Sequence, residues 1–395
     1  MVSSLRAAFN ASWTPEKYQR FLALLDFGAG AHVGFRNCET PCFLPQSVVD
    51  RLTAAGTELI LQLTSSAEYR QRSDATIPAE YNAPNEDPLP LFLQADFGLV
   101  GGLIEGLQPK LVEIQAFPSL YAYQPFLAET YRQAFGLDQS CYLSGLDASS
   151  YRALLRDAIV ADHAPENVVL LEIEPEKQKT YCDFAMTEKM LGVRPVCLLK
   201  VVKEGRKLFY DRDGVRTPIE RIYNRVIVDE LARRPDFKPG FDFREEIDAE
   251  WAGHPNWYFR ISKFSIPFLR HASVPKTWFL DQLRDVPGDL ENYVLKPLYS
   301  FAGLGVVVGP TAADLAAVPA ERRADYILQE RVDFIPTIET PHGGTKAEIR
   351  VMYVWTDELR PVTTIIRMGR GKMMGVDHNK DLEWVGASAG FVVEG

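Results

Sequence analysis

From Asn167 onward the chain alternates a buried strand-like run, VVLLEIEP, a helical run, TYCDFAMTEKMLGV, and a second strand-like run, RPVCLLKVV. The helix is expected to end near Gly192. Strand–helix–strand order of this length confines the two strands to a parallel pair joined by a right-handed crossover. This predicts an α/β domain over residues 151–235. KLFYDRDGVRTPIERIYNR then reads as a hairpin turning at Asp213–Gly214, because Asp-Gly takes the left-handed turn that matches strand twist. PDFKPG marks a boundary. Beyond it residues 243–283 read as helical, followed by two strands (YVLKPLYS and GVVVGP), a short helix, a strand (YILQERVDF) and two more (AEIRVMYVW and PVTTIIRMG).

Upstream, residues 15–30 and 47–70 carry apolar side chains at helical spacing: Tyr18, Phe21, Leu22 and Leu25, then Val48, Val49, Leu52 and Leu59. The stretch TIPAEYNAPNEDPLP is a loop. LFLQADFGLV and KLVEIQAF, joined by the glycine-bearing GGLIEGLQP, form a hairpin. The expected organisation is an N-terminal helical segment (1–90), a hairpin unit (91–135), the α/β domain, and a final unit over 236–395.

Composition bounds the function. With 395 residues, 46% of them apolar, the chain can build two or three ordinary cores. Acids outnumber bases by 53 to 43, and a net charge of −10 argues against a nucleic-acid backbone as partner. The start, MVSSLRAAFNASW, lacks the apolar core of a secretion signal, and no segment approaches the roughly 18 apolar residues of a membrane span. Five scattered cysteines fit reduced thiols, so a cytoplasmic location without membrane attachment is expected. Cys38 and Cys42 are close, but no histidine pair follows at zinc spacing.

Three segments hold the chemistry. In NYVLKPLYSFAGLGVVVGP, Gly303, Gly305 and Gly309 do not form a dinucleotide fingerprint, which needs a helix directly after the glycines; here Val-Val-Val follows. The glycines belong to a turn between antiparallel strands, with Lys296 at the end of the first. Such a loop lets backbone N–H groups close over phosphate, and the lysine adds a compact charge. An ordinary glycine hairpin with a surface lysine reads equally from the same residues. In the 91–116 hairpin, Glu113 and Gln115 are two apart and share a strand face, with Asp96 on the partner strand. Two carboxylates and an amide oxygen make a hard oxygen set suited to Mg²⁺; acids facing solvent are the alternative. YILQERVDF turns polar at Gln329 and Glu330, and its backbone edge can meet an adenine ring, as can any edge strand.

Two motifs are rejected. GASAG at 386–390 fits a nucleophile elbow, but no histidine follows Ser388. GGTKAE at 343–348 lacks the upstream glycine and the following Ser or Thr of a Walker A loop.

Together these segments resemble the ATP-grasp superfamily in a circularly permuted form, like the synthetase part of glutathionylspermidine synthase, with the metal acids ahead of the lysines. The resemblance covers roughly residues 90–130 and 165–395 and implies an α/β (α+β) ATP-grasp fold with a Rossmann-like pre-ATP-grasp domain. It implies Lys296 and Lys263 as the ATP lysines. Gln329, Glu330, Arg331 and Val332 would surround adenine and ribose, with Gly303 and Gly305 over the phosphates. Asp96, Glu113 and Gln115 would be the Mg²⁺ ligands. Arg350 or Arg367 would neutralise transferring phosphate, and Arg225 would face substrate; each arginine also reads as a plain ion pair. Two departures stand out: Gln115 where the family usually has Asn, and Gln94 where it often has Arg.

The implied activity is an ATP- and Mg²⁺-dependent carboxylate–amine or carboxylate–thiol ligase acting through an acyl phosphate on small-molecule substrates. The alternatives are a small-molecule kinase on the same fold and a degenerate nucleotide-binding scaffold protein. Substrate identity and oligomeric state are not readable.

Overall fold

The structure is a computed structural model describing residues 1–101, 106–227, 230–231, 233–234, 236–299, 304–371, 374–376, 379 and 381–394. Its centre is a sheet of seven strands. In spatial order these are β1 (Cys42–Pro45), β18 (Gly386–Val393), β17 (Leu359–Gly369), β16 (Gly343–Trp355), β2 (Phe92–Val100) and β3 (Gln108–Gln115), with β15 (Ile338–Thr340) also on β16. All pairs are antiparallel except β1 with β18. The early hairpin β2–β3 is thus continued by strands from the end of the chain.

Two further sheets flank this one. The expected α/β segment forms a parallel sheet in the order β10 (Glu250–Ala252), β9 (Arg221–Asn224), β4 (Val168–Glu172), β5 (Arg194–Cys197). Its crossover is helix α7 (Tyr181–Leu191), which stops at Gly192 with φ 78°, a left-handed value that costs glycine little. A small antiparallel sheet runs β11 (Thr277–Phe279), β14 (Tyr326–Glu330), β12 (Tyr293–Pro297), β13 (Val307–Val308). β6 (Val202–Glu204), β7 (Lys207–Arg212) and β8 (Val215–Ile219) form a separate meander that turns at Asp213–Gly214 as expected.

Helices cover the large sheet. α2 (Pro15–Ala29) starts on Thr14, whose side chain accepts from Lys17 N–H, with proline at its first position and Gly30 as its left-handed cap. α3 (Gln46–Thr64) lays Val49, Leu52, Leu59 and Ile60 against Phe97, Ile349 and Val351 of the sheet. Fully burying each such side chain is worth about 1.5–3 kcal/mol. α2 and α5 (Tyr123–Phe135) pack Phe21, Leu25 and Tyr131 against Phe391. Phe92, Met352 and Val354 meet Leu170, Phe184 and helix α6 (Ala148–Ile159), which joins the large sheet to the parallel one. Among the described residues no helix is long and apolar enough to cross a membrane.

Three expectations need correction. Residues 243–283 are not a long helix: β10, a short helix (Asn256–Arg260), a 3₁₀ segment (Lys263–Phe268) and β11 share them. Pro255, Pro267 and Pro275 interrupt the run, and each disfavours helical geometry at the residue before it. RPVCLLKVV is divided by a 3₁₀ turn, Leu198–Lys200, so that its two ends enter different sheets. YILQE is an interior strand, with β11 on one side and β12 on the other, so its backbone edge is already filled.

Gly56 sits mid-helix in α3, where a glycine ordinarily weakens a helix by about 1 kcal/mol relative to alanine. A Cβ there would lie 2.1 Å from the Tyr353 hydroxyl, which donates to Thr53 O at 3.1 Å. Gly56→Ala is therefore expected to destabilise the chain, by about 1–3 kcal/mol, when urea unfolding is compared with native. A stabilised variant would show that α3 does not press on the sheet in this way.

Candidate functional site

Register places a charged cluster on one face of the large sheet. Asp96 of β2 lies opposite Glu113 of β3 and opposite Arg350 of β16, while Arg367 of β17 lies opposite Glu348 of β16. Directly opposed side chains in an antiparallel sheet share a face. Arg350 grips Asp96 with two bonds, Nε to Oδ1 at 2.5 Å and Nη2 to Oδ2 at 2.7 Å, and gives Nη1 to Gln94 Oε1 at 2.8 Å. Arg367 Nη2 bridges Asp96 Oδ2 and Glu348 Oε1. Gln115 Nε2 donates to the same Gln94 Oε1 at 2.8 Å, so the two amides and Arg350 share one oxygen.

Two lysines approach from outside this sheet. Lys263, at the start of its 3₁₀ segment, lies 3.3 Å from Glu113 Oε1. Lys296, on β12, donates to Gln329 Oε1 of β14 at 2.5 Å and to Val112 O at 3.0 Å. Val112 is the residue that a β-bulge inserts: Asp96 pairs with Glu113, but Phe97 pairs with Leu111. A bulge frees its extra residue from the ladder, and here the Val112 carbonyl turns to a lysine of another sheet.

Burial sets the electrostatics. It pushes the Asp96 carboxyl up, but Arg350 and Arg367 outweigh it and hold the group below its ordinary value. It lifts Glu348 above its ordinary value despite Arg367. It opposes the charge on Arg367, yet Glu348, Asp96 and Glu113 hold that proton more tightly than usual. It pulls the Lys296 amine down to about 8, with Glu113 resisting and Lys263 assisting. Two buried donors here have no partner among the described residues, Arg367 Nε and Gln329 Nε2. Unsatisfied buried donors are uncommon, and a cluster of cations beside them is chemically ready for an anion with several oxygens.

The structure brings together Asp96, Glu113, Gln115, Lys263, Lys296, Gln329, Arg350 and Arg367. Elsewhere, Arg331 gives Nε to Asp333 and Nη1 to Glu291 O, and Glu330 accepts from Lys276 N–H. Val332 packs over Gly98 of β2, where a Cβ would come within 2.7 Å of it. Gly305 takes φ 75° beside Pro297, a conformation open to glycine, while Gly303 lies outside the described residues. Arg225 stands apart at the end of β9. It is 3% exposed, donates to Asp183 Oδ2 at 2.8 Å, and is flanked by the rings of Phe117 and Phe184. Asp183 also accepts from the N–H groups of Leu120, Ala122 and Tyr123, so the pair pins the parallel sheet to the start of α5. Ser388 of the rejected GASAG is buried, giving its hydroxyl to Thr40 O.

Glu348 is the site residue that sequence reading passed over. The same two-residue spacing that singled out Glu113 and Gln115 relates Glu348 to Arg350 in AEIRVMYVW.

Compared by sequence, the chain matches no family model and no curated protein. By fold it is similar to a glutathione synthetase like-effector (GSS30) from Globodera pallida, solved in apo form. The TM-score is 0.57 at 11% identity, covering 96% of this chain and 100% of that one. The chain has a mixed α/β fold distantly similar to that of a glutathione synthetase-like protein.

Proposed function

We propose that this chain is an ATP-grasp ligase in circularly permuted order, binding ATP with Mg²⁺ between the large sheet and the small antiparallel sheet to join a substrate carboxylate to an amine or thiol. The observation that carries this reading is the convergence of four cations, Lys263, Lys296, Arg350 and Arg367, with two unpartnered donors on the same site. The permuted order is supported by the early hairpin β2–β3, which continues a sheet otherwise made mainly of the last strands of the chain. The name of the similar structure, a glutathione synthetase like-effector, points to the same class of ligase.

The residues fit the nucleotide. Lys263, Lys296 and Arg367 supply charge for phosphate oxygens, and Gln329 Nε2 and Arg367 Nε are donors in want of an acceptor. For Mg²⁺ the candidate donors are the oxygens of Glu113, Gln115, Glu348 and Asp96; among the described residues, as they stand, no three acids form a metal-holding group, so phosphate oxygens would complete the hard set this ion takes. Arg350, standing against Gln94, restores a positive charge at the corner where the chain has glutamine in place of the family's arginine. When bound, Mg²⁺ would supply charge neutralisation at the phosphates.

The chain's own part is to position and to neutralise. A carboxylate oxygen of the substrate attacks the γ-phosphorus, ADP departs, and the arginines and lysines hold the charge spread over the phosphoryl oxygens. The amine or thiol then attacks the acyl carbon, inorganic phosphate leaves, and the nucleophile gives up its proton. One observation favours a second reading, a nucleotide-binding protein without ligase chemistry: both Asp96 oxygens are engaged by guanidinium groups.

Calorimetry with Mg²⁺-ATP is expected to show binding to the native chain and a 10- to 100-fold weaker affinity for Lys296→Ala. That is about the loss of one charge-assisted hydrogen bond. Absence of binding to the native chain would end the nucleotide reading. If both bind and only substrate-stimulated ADP release is missing, the second reading holds.

The lysine also predicts a pH dependence. Its amine ordinarily titrates at 10.5 and here at about 8. Between those values the unfolded chain binds more protons, so this group's contribution to stability rises with pH across that window. Phosphate beside the amine draws its proton affinity back up. ATP binding near pH 8.5–9 is therefore expected to take up a proton, read from calorimetry in buffers of different ionisation enthalpy, and to weaken as pH rises further. Binding with no proton uptake in Lys296-intact protein would place the phosphates away from this lysine.

A further inference from the structure

We infer that Arg367 is a gate that keeps divalent metal away from the acids of the site until a nucleotide's phosphates draw it off; this rests on the reading of the site as an ATP site. Each acid of the cluster is held by a cation. Asp96 accepts Arg350 Nε at Oδ1 and both Arg350 Nη2 and Arg367 Nη2 at Oδ2. Glu348 is met by the same Arg367 Nη2, and Glu113 by Lys263. A metal ion arriving alone would have to displace these donors and sit beside their positive charges, which are poorly screened in a buried site.

Arg367 is the member placed to move. Arg350 is held by three bonds from its Nε, Nη1 and Nη2 to Asp96 and Gln94, both on the adjacent strand β2, whereas Arg367 attaches to both of its carboxylates through the one nitrogen, Nη2. Its side chain is 26% exposed against 11% for Arg350, and its buried Nε has no partner among the described residues. Moving Nη2 from the carboxylates to a phosphate oxygen exchanges one set of charge-assisted bonds for another and gives Nε a potential acceptor. The same movement frees Glu348 Oε1 and removes one of the two guanidinium donors on Asp96 Oδ2, opening hard oxygens to the cation that accompanies the nucleotide. Metal affinity and phosphate binding are thereby coupled through one side chain, and the coupling is reciprocal.

The test uses Mn²⁺ as the probe, titrated into the full-length chain and followed by electron paramagnetic resonance, with and without a non-hydrolysable ATP analogue. Native protein is expected to bind Mn²⁺ at least 10-fold more tightly with the analogue than without it. Arg367→Met, which keeps the unbranched stem but lacks the charged guanidinium, is expected to bind Mn²⁺ alone at least 10-fold more tightly than native and to lose most of the analogue's effect. Arg367→Lys, which retains a charge on a shorter side chain, is expected to fall between them and serves if the methionine variant does not fold. Equal Mn²⁺ affinity of native and a folded variant in the absence of nucleotide overturns the gate, as does native protein that binds Mn²⁺ equally well with and without the analogue it has bound. Failure of the native chain to bind the analogue at all is a different result. It ends the ATP reading and the nucleotide coupling proposed here, while the metal-only comparison still shows whether Arg367 caps the acids.

Discussion

Asp96 is a carboxylate buried in the middle of a sheet, and the charged face around it is arranged to keep it ionised. Burial alone would drive it toward its neutral form; two guanidinium groups, from the adjacent strand β16 and from β17 beyond it, reverse that. The arrangement ties the early hairpin to the late strands by charge as well as by the backbone ladder. It also makes the face intolerant of partial change. Removing one partner of a buried pair leaves an uncompensated charge, at a cost of about 3–5 kcal/mol, so the acids and bases of this face stand or fall together.

The other elements deliver cations to that face or hold the frame around it. The β-bulge at Val112 turns a carbonyl outward, and Lys296 of the small sheet takes it, which fixes the distance between the two sheets at their charged margin. The outer edge of β3 is met by two loops: Leu111 N–H donates to Ser273 O and Ala116 N–H to Ile261 O. The second of these positions precedes Lys263 by two residues, so the contact that covers the strand edge also brings in the second lysine. On the far side the buried Asp183–Arg225 pair locks the parallel sheet to α5 through three backbone N–H groups. Its burial and its flanking rings make it a pin between layers.

Some of the site was legible because strand periodicity is local. Glu113 and Gln115 two apart, Asp96 within an apolar run, and Lys296 at the end of YVLKP are all visible without knowing what pairs with what. The parallel sheet was legible for a similar reason, since a strand–helix–strand segment has few ways to close. Glu348 was missed because its two-residue spacing from Arg350 reads as an ordinary acid–base pair on one strand face until register sets Arg367 opposite it. The edge reading of YILQERVDF failed because strand neighbours are a matter of long-range pairing: β11 and β12 come from 277–279 and 293–297, and both sides of β14 are filled.

The amino-acid sequence by itself determined the element types wherever periodicity was strong, the crossover and hairpin turns that glycine and proline enforce, and the kinds of chemical group available. It did so because dihedral preference and side-chain spacing act over a few residues. Only the tertiary structure decided which cation faces which acid. The two pairings of Asp96 join residues more than 250 positions apart, through strand register and one inserted residue at Val112, and a shift of one position would turn every charge to the opposite face.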